Sequence, residues 1–475
     1  MTADGHPLSR RTTLLALSGV LLGMFVAALN QTIVAAVLPV IVDDIGGVEH
    51  YSWVFTAYML GQTVSTPVVG RASDVYGRRP FLLAALLLFI TGTILAGTAG
   101  AMTQLILARG IQGVASGALM SLALATIGDL VPPIDRGRWQ GITGALLGVA
   151  TVLGPAAGGV LADEAGWSWV FFASVPLSAI AFVTVARTLH VPPHPERDTR
   201  VDYTGAALLA AGLSSSLFAL TSGGAVLWVA GGTMLVAFVW WERRVEQPLI
   251  PLELFRGQVF TAASLANFSV GSSMYCMIMF VPLYVQGVMG VSATGSGLIL
   301  APLMLALTGA TLASGQLISR TGRYRWVLVA GPVIAGFGFV MLTMLTAEST
   351  RAGVTAAMIV GGLGLGLLTQ NLVLVVQNAV PRRHMGIATG AGKFCRSLGG
   401  TIGVSAMGAI LAAGLSGGPA SPERLADALH PLFVLGIPLM ALTLALVLLI
   451  PEIPMSRTFQ DEARREAGAQ GTIAA

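Results

Sequence analysis

The sequence is poor in charged residues. Only 10% of its 475 residues are Asp, Glu, Lys or Arg, whereas soluble domains carry about 25%. That leaves too few charged side chains to cover the water-facing surface of a soluble protein of this size. Apolar residues make up 55% of the chain, and they recur in runs of about 20 residues, the length that spans a bilayer core about 30 Å thick. The sequence therefore predicts a membrane protein.

The apolar runs also lack the alternation of apolar and polar residues that is typical of membrane β-strands. Phe81–Gly97 and Met440–Ile450 show no such alternation. Because backbone groups in lipid must bond within the protein, the remaining choice is α-helix. We expect an all-α membrane protein.

Cysteine and catalytic clusters are scarce as well. The two cysteines, Cys276 and Cys395, both fall within apolar runs, which argues against a disulfide framework. No His/Glu metal cluster, phosphate-binding GxxxxGK[ST] loop or soluble domain is recognisable, so we do not expect an enzyme or a cofactor. The net charge of +4 is spread over short loops, and no nucleic-acid partner is expected.

Fourteen apolar spans follow one another along the chain. They are about 14–39, 52–70, 80–99, 103–129, 138–161, 168–188, 203–221, 225–241, 259–287, 293–318, 326–346, 353–379, 384–413 and 429–450. The first follows Arg10 and Arg11, as the apolar core of a secretory signal would. It is too long for such a core and no clean small-residue cleavage site follows, so we expect a retained helix.

Positive residues are concentrated in one set of loops. With the spans above, that set and the two tails hold twenty-one of the 26 Lys and Arg residues, and the opposite loops hold Arg351 and Arg424. Cytoplasmic loops carry such an excess. Both termini are therefore expected to be cytoplasmic.

The arrangement of the spans predicts two related halves. Six spans precede the polar connection Leu189–Asp202, two Gly- and Ala-rich spans follow it, and six more come after Glu242–Gln258. Gly70–Arg79, after the second span, faintly echoes Gly315–Arg323, after the tenth. Such repeats are typical of two bundles around a central cavity. The predicted domains are an N-terminal six-helix bundle (1–190), a linker with two extra transmembrane helices (191–258) and a C-terminal six-helix bundle with a cytoplasmic tail (259–475).

Five ordered motifs resemble those of the major facilitator superfamily. They are Gly70-x-x-x-Asp74-x-x-Gly77-Arg78-Arg79 after the second span, Arg109-x-x-Gln112-Gly113 in the fourth, Gly144-x-x-x-Gly148 with Gly154-Pro155-x-x-Gly158-Gly159 in the fifth, Leu29-Asn30-Gln31-Thr32 in the first and Trp167-x-Trp169 at the sixth. The resemblance covers nearly the whole chain. Within the superfamily, the chain most resembles the fourteen-spanner drug:proton antiporters.

The resemblance implies a fold and an activity. The fold is two six-helix bundles plus two extra central helices. The activity is export of amphipathic drugs or toxic compounds in exchange for protons, by alternating access. The implied partners are small amphipathic substrates, protons and the lipid bilayer, with the proton gradient in place of a cofactor. A multi-pass monomer in a bacterial inner membrane is expected. The open alternative is a dedicated exporter of an endogenous metabolite or lipid on the same fold.

One departure from the family concerns proton coupling. The family usually has Asp where this chain has Asn30, which matches Asp in volume but cannot titrate. No Asp or Glu lies in the middle of a predicted span, and His384 and His430 lie at span ends. Two origins are open, a natural variant with altered coupling and an engineered Asp→Asn replacement, and we favour the second.

Three positive residues fall inside spans. Arg109 lies about two turns into the fourth span, where a charge near the bilayer centre costs about 2.5–3.5 kcal/mol. Its head group either reaches the external interface or faces the cavity near the first span, where it forms the proton-coupling site with Asn30. Lys393 and Arg396 either extend towards the cytoplasm or, as we favour for Arg396, serve in packing or gating.

Two of the motifs predict moving parts. Gly77 permits a tight turn, and Asp74 with Arg78 and Arg79 predicts a charged latch between the bundles, although positive-inside topology alone is an alternative reading. The glycines of the fifth span allow close helix approach, and Pro155 favours a bend. A gate is therefore predicted there, with generic helix packing as the alternative.

The substrate cavity is expected to be lined by amide and aromatic side chains from both halves. The candidates are Gln31, Phe55, Tyr58, Gln112, Asn267, Tyr275, Tyr284, Gln370, Asn371, Gln377 and Phe394. Because this set holds no carboxylate, it suits bulky, apolar or weakly polar compounds. Each residue is alternatively a packing residue.

Overall fold

The computed structural model describes residues 10–130, 136–189, 202–222, 224–245, 248, 252–346, 348–379, 385–415 and 421–451. These residues form sixteen α-helices. They are α1 (Arg10–Ile45), α2 (Tyr51–Tyr76), α3 (Arg78–Gly97), α4 (Met102–Leu130), α5 (Arg136–Ala165), α6 (Trp167–Phe172), α7 (Ser174–Thr188), α8 (Tyr203–Ser222), α9 (Ala225–Glu242), α10 (Gln258–Gly287), α11 (Ala293–Thr321), α12 (Arg325–Thr343), α13 (Arg351–Thr369), α14 (Asn371–Ala379), α15 (Met385–Leu415) and α16 (Pro422–Leu448).

A helix lies over each predicted span, with three differences. The first helix continues through Pro39 to Ile45, because a packed helix can pass a proline without ending. The sixth span is interrupted after Phe172 and the twelfth is interrupted at Gln370. Pro176 lies four residues after Phe172, so it cannot donate to the Phe172 carbonyl and crowds it, which accounts for the first break. No proline follows Gln370 within four residues, and hydropathy gives no signal for the second break.

Twelve apolar stretches of the described chain are long enough to cross a membrane. They include α6 and α7 taken together as one stretch, and α13 with most of α14 as another. Two long helices fall outside this set. The α2 helix carries polar residues such as Gln62 along its length, and the apolar part of α8 is shorter, Tyr203–Ala219. Exposed apolar side chains such as Val226 (80% exposed) and Met344 (74%) suit contact with lipid.

The helices pack into two groups joined by a pair. In the N-terminal half (α1–α7), α2 packs on α4, and α1 packs on α5 and α7. In the C-terminal half (α10–α16), α10 packs on α15 and α16, and α11 packs on α13. The central pair, α8 and α9, pack on each other, and α8 also contacts α2 and α15. The two halves meet mainly through α5 with α11, α2 with α15 and α1 with α10.

Short turns hold these helices together. Gly77, between α2 and α3, has φ 93°, a left-handed value that favours glycine. At the starts of α11, α13 and α16, side chains of Ser292, Thr350 and Ser421 accept backbone N–H bonds and cap the helix. The local sequence therefore explains where these helices begin.

Candidate transport site

The contact between α5 and α11 is tight at one end. Gly144, Gly148, Pro155 and Gly159 share one face of α5, since their spacings follow the helical repeat. A Cβ at Gly159 would lie 2.6 Å from Thr294 Cα, and a Cβ at Gly297 of α11 would lie 2.8 Å from the carbonyl carbon of Pro155. The backbones touch because neither residue has a side chain. We call this end of the molecule, where α5 ends and α11 begins, the closed end.

The same two helix faces separate towards the other end. At Gly148 a Cβ would meet only the tip of Thr308, 3.2 Å away. One turn further, a Cβ at Gly144 would meet nothing within 4 Å, and the same holds for Gly315, which shares the interface face of α11. The halves therefore diverge towards the end where α5 begins and α11 ends, which we call the open end.

Hydrogen bonds also join the halves near the closed end. The Gln286 Nε2 donates to the Ala36 carbonyl (2.7 Å), and the Tyr51 hydroxyl donates to the Met279 carbonyl (2.9 Å). The Asp163 carboxylate of α5 accepts from the Thr294 backbone N–H in the first turn of α11 (2.8 Å). These bonds fix the halves to each other on that side.

A buried polar cluster surrounds Arg109 inside the N-terminal half. Both Arg109 and Asn30 have no exposed surface. The Arg109 Nη1 donates to Asn30 Oδ1 (2.6 Å) and to Gln112 Oε1 (2.9 Å), and its guanidinium carbon lies 4.1 Å from the centre of the Tyr58 ring. Gln112 Nε2 donates in turn to Thr93 (2.9 Å). The cluster links α1, α2, α3 and α4.

The cluster holds a cation without a counter-charge. Among the described side chains no carboxylate bonds to Arg109, and its Nη2 atom and the Asn30 Nδ2 atom have no hydrogen-bond partner. Amide oxygens and an aromatic face provide dipoles, but a buried charge normally requires an ion pair. A carboxylate at position 30 would supply the missing negative charge.

The residue next to Asn30 joins the two halves. Gln31 Nε2 donates to the Tyr275 hydroxyl of α10 (3.0 Å) and lies 3.1 Å from the Met59 sulfur. The Tyr275 ring lies 4.9 Å from the Phe55 ring. Consecutive residues of α1 thus contact the Arg109 cluster and the opposite half.

The sequence matches the Major Facilitator Superfamily over residues 20–404. The chain belongs to the major facilitator superfamily. It is therefore a transporter rather than an enzyme, a multi-pass membrane protein that moves small substrates across a lipid bilayer.

Several superfamily members are similar along most of this chain. Multidrug transporter protein MdtP of Bacillus subtilis (strain 168) is 35% identical over 421 residues, which are 86% of this chain and 77% of that protein. Multidrug resistance protein 3 of the same organism is 33% identical over 403 residues, 82% and 78% of the two chains. The uncharacterized MFS-type transporter Rv1877 of Mycobacterium tuberculosis (strain ATCC 25618 / H37Rv) is 37% identical over 402 residues, 82% of this chain but 58% of that protein.

A solved transporter structure has the same fold. The human organic anion transporter MFSD10 (TETRAN) superposes with a TM-score of 0.59 at 17% identity, over 90% of this chain and 99% of that one. At this identity the likeness concerns the fold alone. The predicted all-α major facilitator fold is thereby confirmed.

The two arginines of the superfamily loop motif bind within the N-terminal half. Arg78 Nε donates to Asp129 at the end of α4 (2.9 Å) and its Nη1 donates to Ser73 (2.6 Å). Arg79 donates to the Ala186 carbonyl of α7 (2.6 Å). The Asp74 side chain lies outside the described residues. The predicted latch places these arginines between the bundles in one of two conformations. In this conformation both bind within one half, and the latch stays a prediction.

The other glycines of the fifth-span motif face α1. A Cβ at Gly154 would lie 3.2 Å from the Ile33 backbone nitrogen, and one at Gly158 would lie 2.9 Å from the Ile33 carbonyl oxygen. The motif therefore serves two neighbours, with Gly154 and Gly158 against α1 and Gly159 against α11. The gate that the sequence predicts here stays a prediction, although the close approach it requires is present.

The predicted substrate residues fall into three groups. Gln31, Phe55 and Tyr275 come together at mid-depth between the halves, whereas Tyr58 and Gln112 belong to the Arg109 cluster. The remaining candidates lie within the C-terminal half or beside it.

Those remaining candidates have separate surroundings. Asn267 is buried and donates to Ala263 (3.0 Å), and Asn371 is buried and donates to Ser314 (2.8 Å). Tyr284 donates to the Thr346 carbonyl, and Gln370 is exposed at the break between α13 and α14. Phe394 packs against the central pair, and the Gln377 side chain lies outside the described residues.

The C-terminal half contributes two further cations. Arg396 is half-buried, and its Nη1 donates to the Thr369 carbonyl at the end of α13 (2.9 Å). The break at Gln370 leaves this carbonyl without its helical partner, which explains the bond. Lys393 is exposed. Among the described residues, no group of His, Cys, Asp and Glu side chains could hold a metal ion.

Sequence reasoning missed the bonds that join the halves. Asp163, Gln286 and Tyr51 lie in or beside predicted spans, yet nothing in the sequence relates them to partners more than a hundred residues away. Thr93, which accepts from Gln112, was missed in the same way. A polar residue in an otherwise apolar helix was the available signal, because such a group must find a partner when buried.

Proposed function

We propose that this chain exports amphipathic drugs or toxic compounds across the inner membrane of a bacterial cell by alternating access, as a fourteen-spanner drug:proton antiporter does. The names of two bacterial relatives, a multidrug transporter and a multidrug resistance protein, support this substrate class. Helices over all fourteen predicted spans support the fourteen-spanner arrangement. The proposed division into residues 1–190, 191–258 and 259–475 follows the two groups and the central pair.

The proposed topology places the open end in the cytoplasm. If each of the fourteen spans crosses the membrane in turn, Arg10 and Pro451 lie on the same side as the start of α5. The excess of arginine on that side assigns it to the cytoplasm. A cavity open to the cytoplasm is the loading state of an exporter.

One observation carries the proposal: Asn30 and Gln31 are adjacent on α1 but bind in different directions. Asn30 binds the buried Arg109 of its own half, and Gln31 binds Tyr275 of the other half. A change in the bond at position 30 would turn or shift α1 and so disturb the contact at position 31. This is a direct path from a titratable group at position 30 to the movement of the halves.

Proton exchange depends on what stands at position 30. A carboxylate there would pair with Arg109 when charged and lose most of that attraction when protonated. The Asn30 amide does not titrate, so it accepts the hydrogen bond from Arg109 at any pH. We therefore expect the chain as it stands to move substrates with little response to a pH gradient, and we expect strong proton coupling to require Asp at this position.

The test is substrate export from proteoliposomes with an imposed pH gradient, comparing this chain with Asn30→Asp. We expect Asn30→Asp to raise gradient-driven export about tenfold or more. The matched control is Asn267→Asp, which places a buried carboxylate in the other half, away from Arg109. Export by this variant should not increase with the pH gradient. An unchanged gradient response in Asn30→Asp would contradict the proposed coupling site.

The alternative, a dedicated metabolite exporter, predicts a different substrate profile. Chemically unrelated amphipaths should compete with one another for export by a multidrug transporter. If export of one compound is insensitive to all unrelated competitors, the multidrug proposal is wrong.

A further inference from the structure

The interior of the described chain carries positive charge without negative charge. Arg109, Lys393 and Arg396 all lie about two turns or more from the ends of their helices. Each acidic residue whose side chain is described instead lies within about one and a half turns of a helix end or outside the α-helices. They are Asp43, Asp44, Glu49, Asp129, Asp163, Glu164, Asp202, Glu242, Glu253, Glu348, Glu423 and Asp427.

Lys393 lies on the cavity face of α15. Gly392, Gly399 and Gly403 mark the face that contacts α10, since Cβ atoms there would meet Asn267, Phe268 and Ser272. Ser405 and Gly408 mark the face that contacts α2, through Thr56 and Ser52. Lys393 lies between these two faces, because it is separated from each by about a quarter turn of the helix.

The side of α15 that carries Lys393 is the side that faces Tyr275. Gly400 is seven residues from Lys393 and therefore lies on the same face. A Cβ at Gly400 would lie 2.7 Å from the Cε2 atom of Tyr275, whose side chain contacts Gln31 and Phe55 of the other half. Lys393 is thus exposed two turns from this contact towards the open end, inside the space between the halves.

Arg396 and the aromatic rings complete the surroundings. Arg396 lies one turn from Lys393 and is held by the Thr369 carbonyl. Tyr275 provides a partly exposed aromatic ring at the end of this space, and the buried Phe55 ring packs against it. A cation beside an aromatic surface fits a ligand that has a flat apolar body and one acidic group.

We propose that the cavity selects organic anions, amphipaths with an aromatic body and a carboxylate or sulfonate group, and that Lys393 binds the acidic group. A cavity lined by one sign of charge between low-dielectric walls attracts ligands of the opposite sign and repels those of the same sign. This inference rests on the proposed function, because it takes the space between the halves as the transport site. It narrows the substrate class to anions.

The first experiment compares three probes with the same dansyl body. Dansylglycine is an anion, dansylamide is neutral and N-(2-aminoethyl)dansylamide is a cation. Binding is measured by fluorescence with the full chain in nanodiscs of zwitterionic lipid. We expect this chain to bind the anion at least about tenfold more tightly than the cation. Lys393→Glu should reverse the order, Lys393→Arg should keep it, and the control Arg351→Ala, at the start of α13 near the closed end, should leave it unchanged.

The second experiment uses the fact that Lys393 is the only lysine of the chain. A water-soluble amine-acylating reagent should modify Lys393 in the nanodisc, and peptide mass spectrometry distinguishes it from the terminal amine. Dansylglycine should protect Lys393 at least about fivefold more than the cationic probe at equal concentration. Equal protection, or equal binding of the anion and the cation, overturns the proposal.

The outcomes separate this inference from the proposed function. Export of cationic amphipaths without binding of dansylglycine would overturn the anion selectivity and leave the exporter intact. Failure to bind or export any dansyl probe, together with failure to export the unrelated amphipaths, would overturn both. Binding of the anion without any export would support the site and contradict the transport role.

Discussion

The two ends of the α5–α11 interface use the same residue type for opposite purposes. At the closed end Gly159 and Gly297 let two backbones touch, and at the open end Gly144 and Gly315 face empty space. All four residues lie on the facing sides of the two helices. The comparison indicates that glycine at the open end provides clearance for a second contact, formed when the halves rock and the closed end separates.

The polar bonds between the halves show the same asymmetry. The five described hydrogen bonds that join the N-terminal and C-terminal halves lie between mid-depth and the closed end. They are Gln31–Tyr275, Tyr51–Met279, Thr56–Ser405, Gln286–Ala36 and Asp163–Thr294. The C-terminal half places an exposed cation, Lys393, towards the open end. The described contacts therefore stabilise this conformation between mid-depth and the closed end.

The largest effect is expected where the backbones touch. In Gly159→Ala the new Cβ would lie 2.6 Å from Thr294 Cα, and such overpacking costs about 1–3 kcal/mol. The population of this conformation relative to the opposite one should fall by about 5- to 150-fold, measured as a loss of hydrogen-exchange protection at the closed end. Gly144→Ala is the matched control on the same face and should lose far less. Equal losses in the two variants would contradict the comparison.

A smaller effect is expected from one buried bond at the closed end. Tyr51→Phe removes the hydroxyl that donates to the Met279 carbonyl but keeps the ring. A buried hydrogen bond contributes about 0.5–1.5 kcal/mol, so the population of this conformation should fall by about 2- to 12-fold. Protection of the closed end from hydrogen exchange is the measurement. Tyr76→Phe, at an exposed tyrosine, is the control; a loss of protection as large there would show that the Met279 bond is not the cause.

The sequence predicts that the fifth span makes close helix contacts, but it does not predict which helices it contacts. The glycine spacing of the fifth span predicts close helix approach, yet spacing gives only a face and not its neighbour. The structure assigns α1 to Gly154 and Gly158, and α11 to Gly159. The all-helical fold followed from hydropathy, because each helix satisfies its own backbone in lipid. Contacts such as Gln31–Tyr275 depend on how two halves dock, which local sequence does not specify.

The Arg109 cluster could be predicted from the sequence only in part. The sequence places a costly charge in a span and no acid near it, so an internal partner was the alternative to exposure at the interface. The structure buries Arg109 completely and gives it the Asn30 and Gln112 oxygens. The role of Thr93 was not foreseeable, because it depends on the packing of α3 against α4. Phe394 packs against the central pair rather than beside Tyr275 because of the rotation of α15, which hydropathy does not fix.

A weaker contribution is expected from the carboxylate that crosses the interface. Asp163→Asn keeps the size of the side chain and weakens the bond from the Thr294 backbone N–H. Because Asp163 is exposed, water screens the interaction, and the bond stabilises this conformation by about 0.5–1 kcal/mol. The closed conformation should lose about two- to fivefold in population, measured by the same exchange protection. Glu164→Gln is the neighbouring control, and a response equal to that of Asp163→Asn would attribute the effect to net charge.

The smallest expected effect is on thermal stability, and it has opposite signs at the open and closed ends of the α5–α11 interface. Gly144→Ala adds a Cβ that meets nothing within 4 Å, and alanine is the better helix former by about 0.5–1 kcal/mol. Its thermal unfolding midpoint in detergent should therefore rise slightly, whereas that of Gly159→Ala should fall. Tryptophan fluorescence against temperature measures both. A drop for Gly144→Ala would mean that the open end is already packed in the resting protein, and the clearance that rocking requires would be missing.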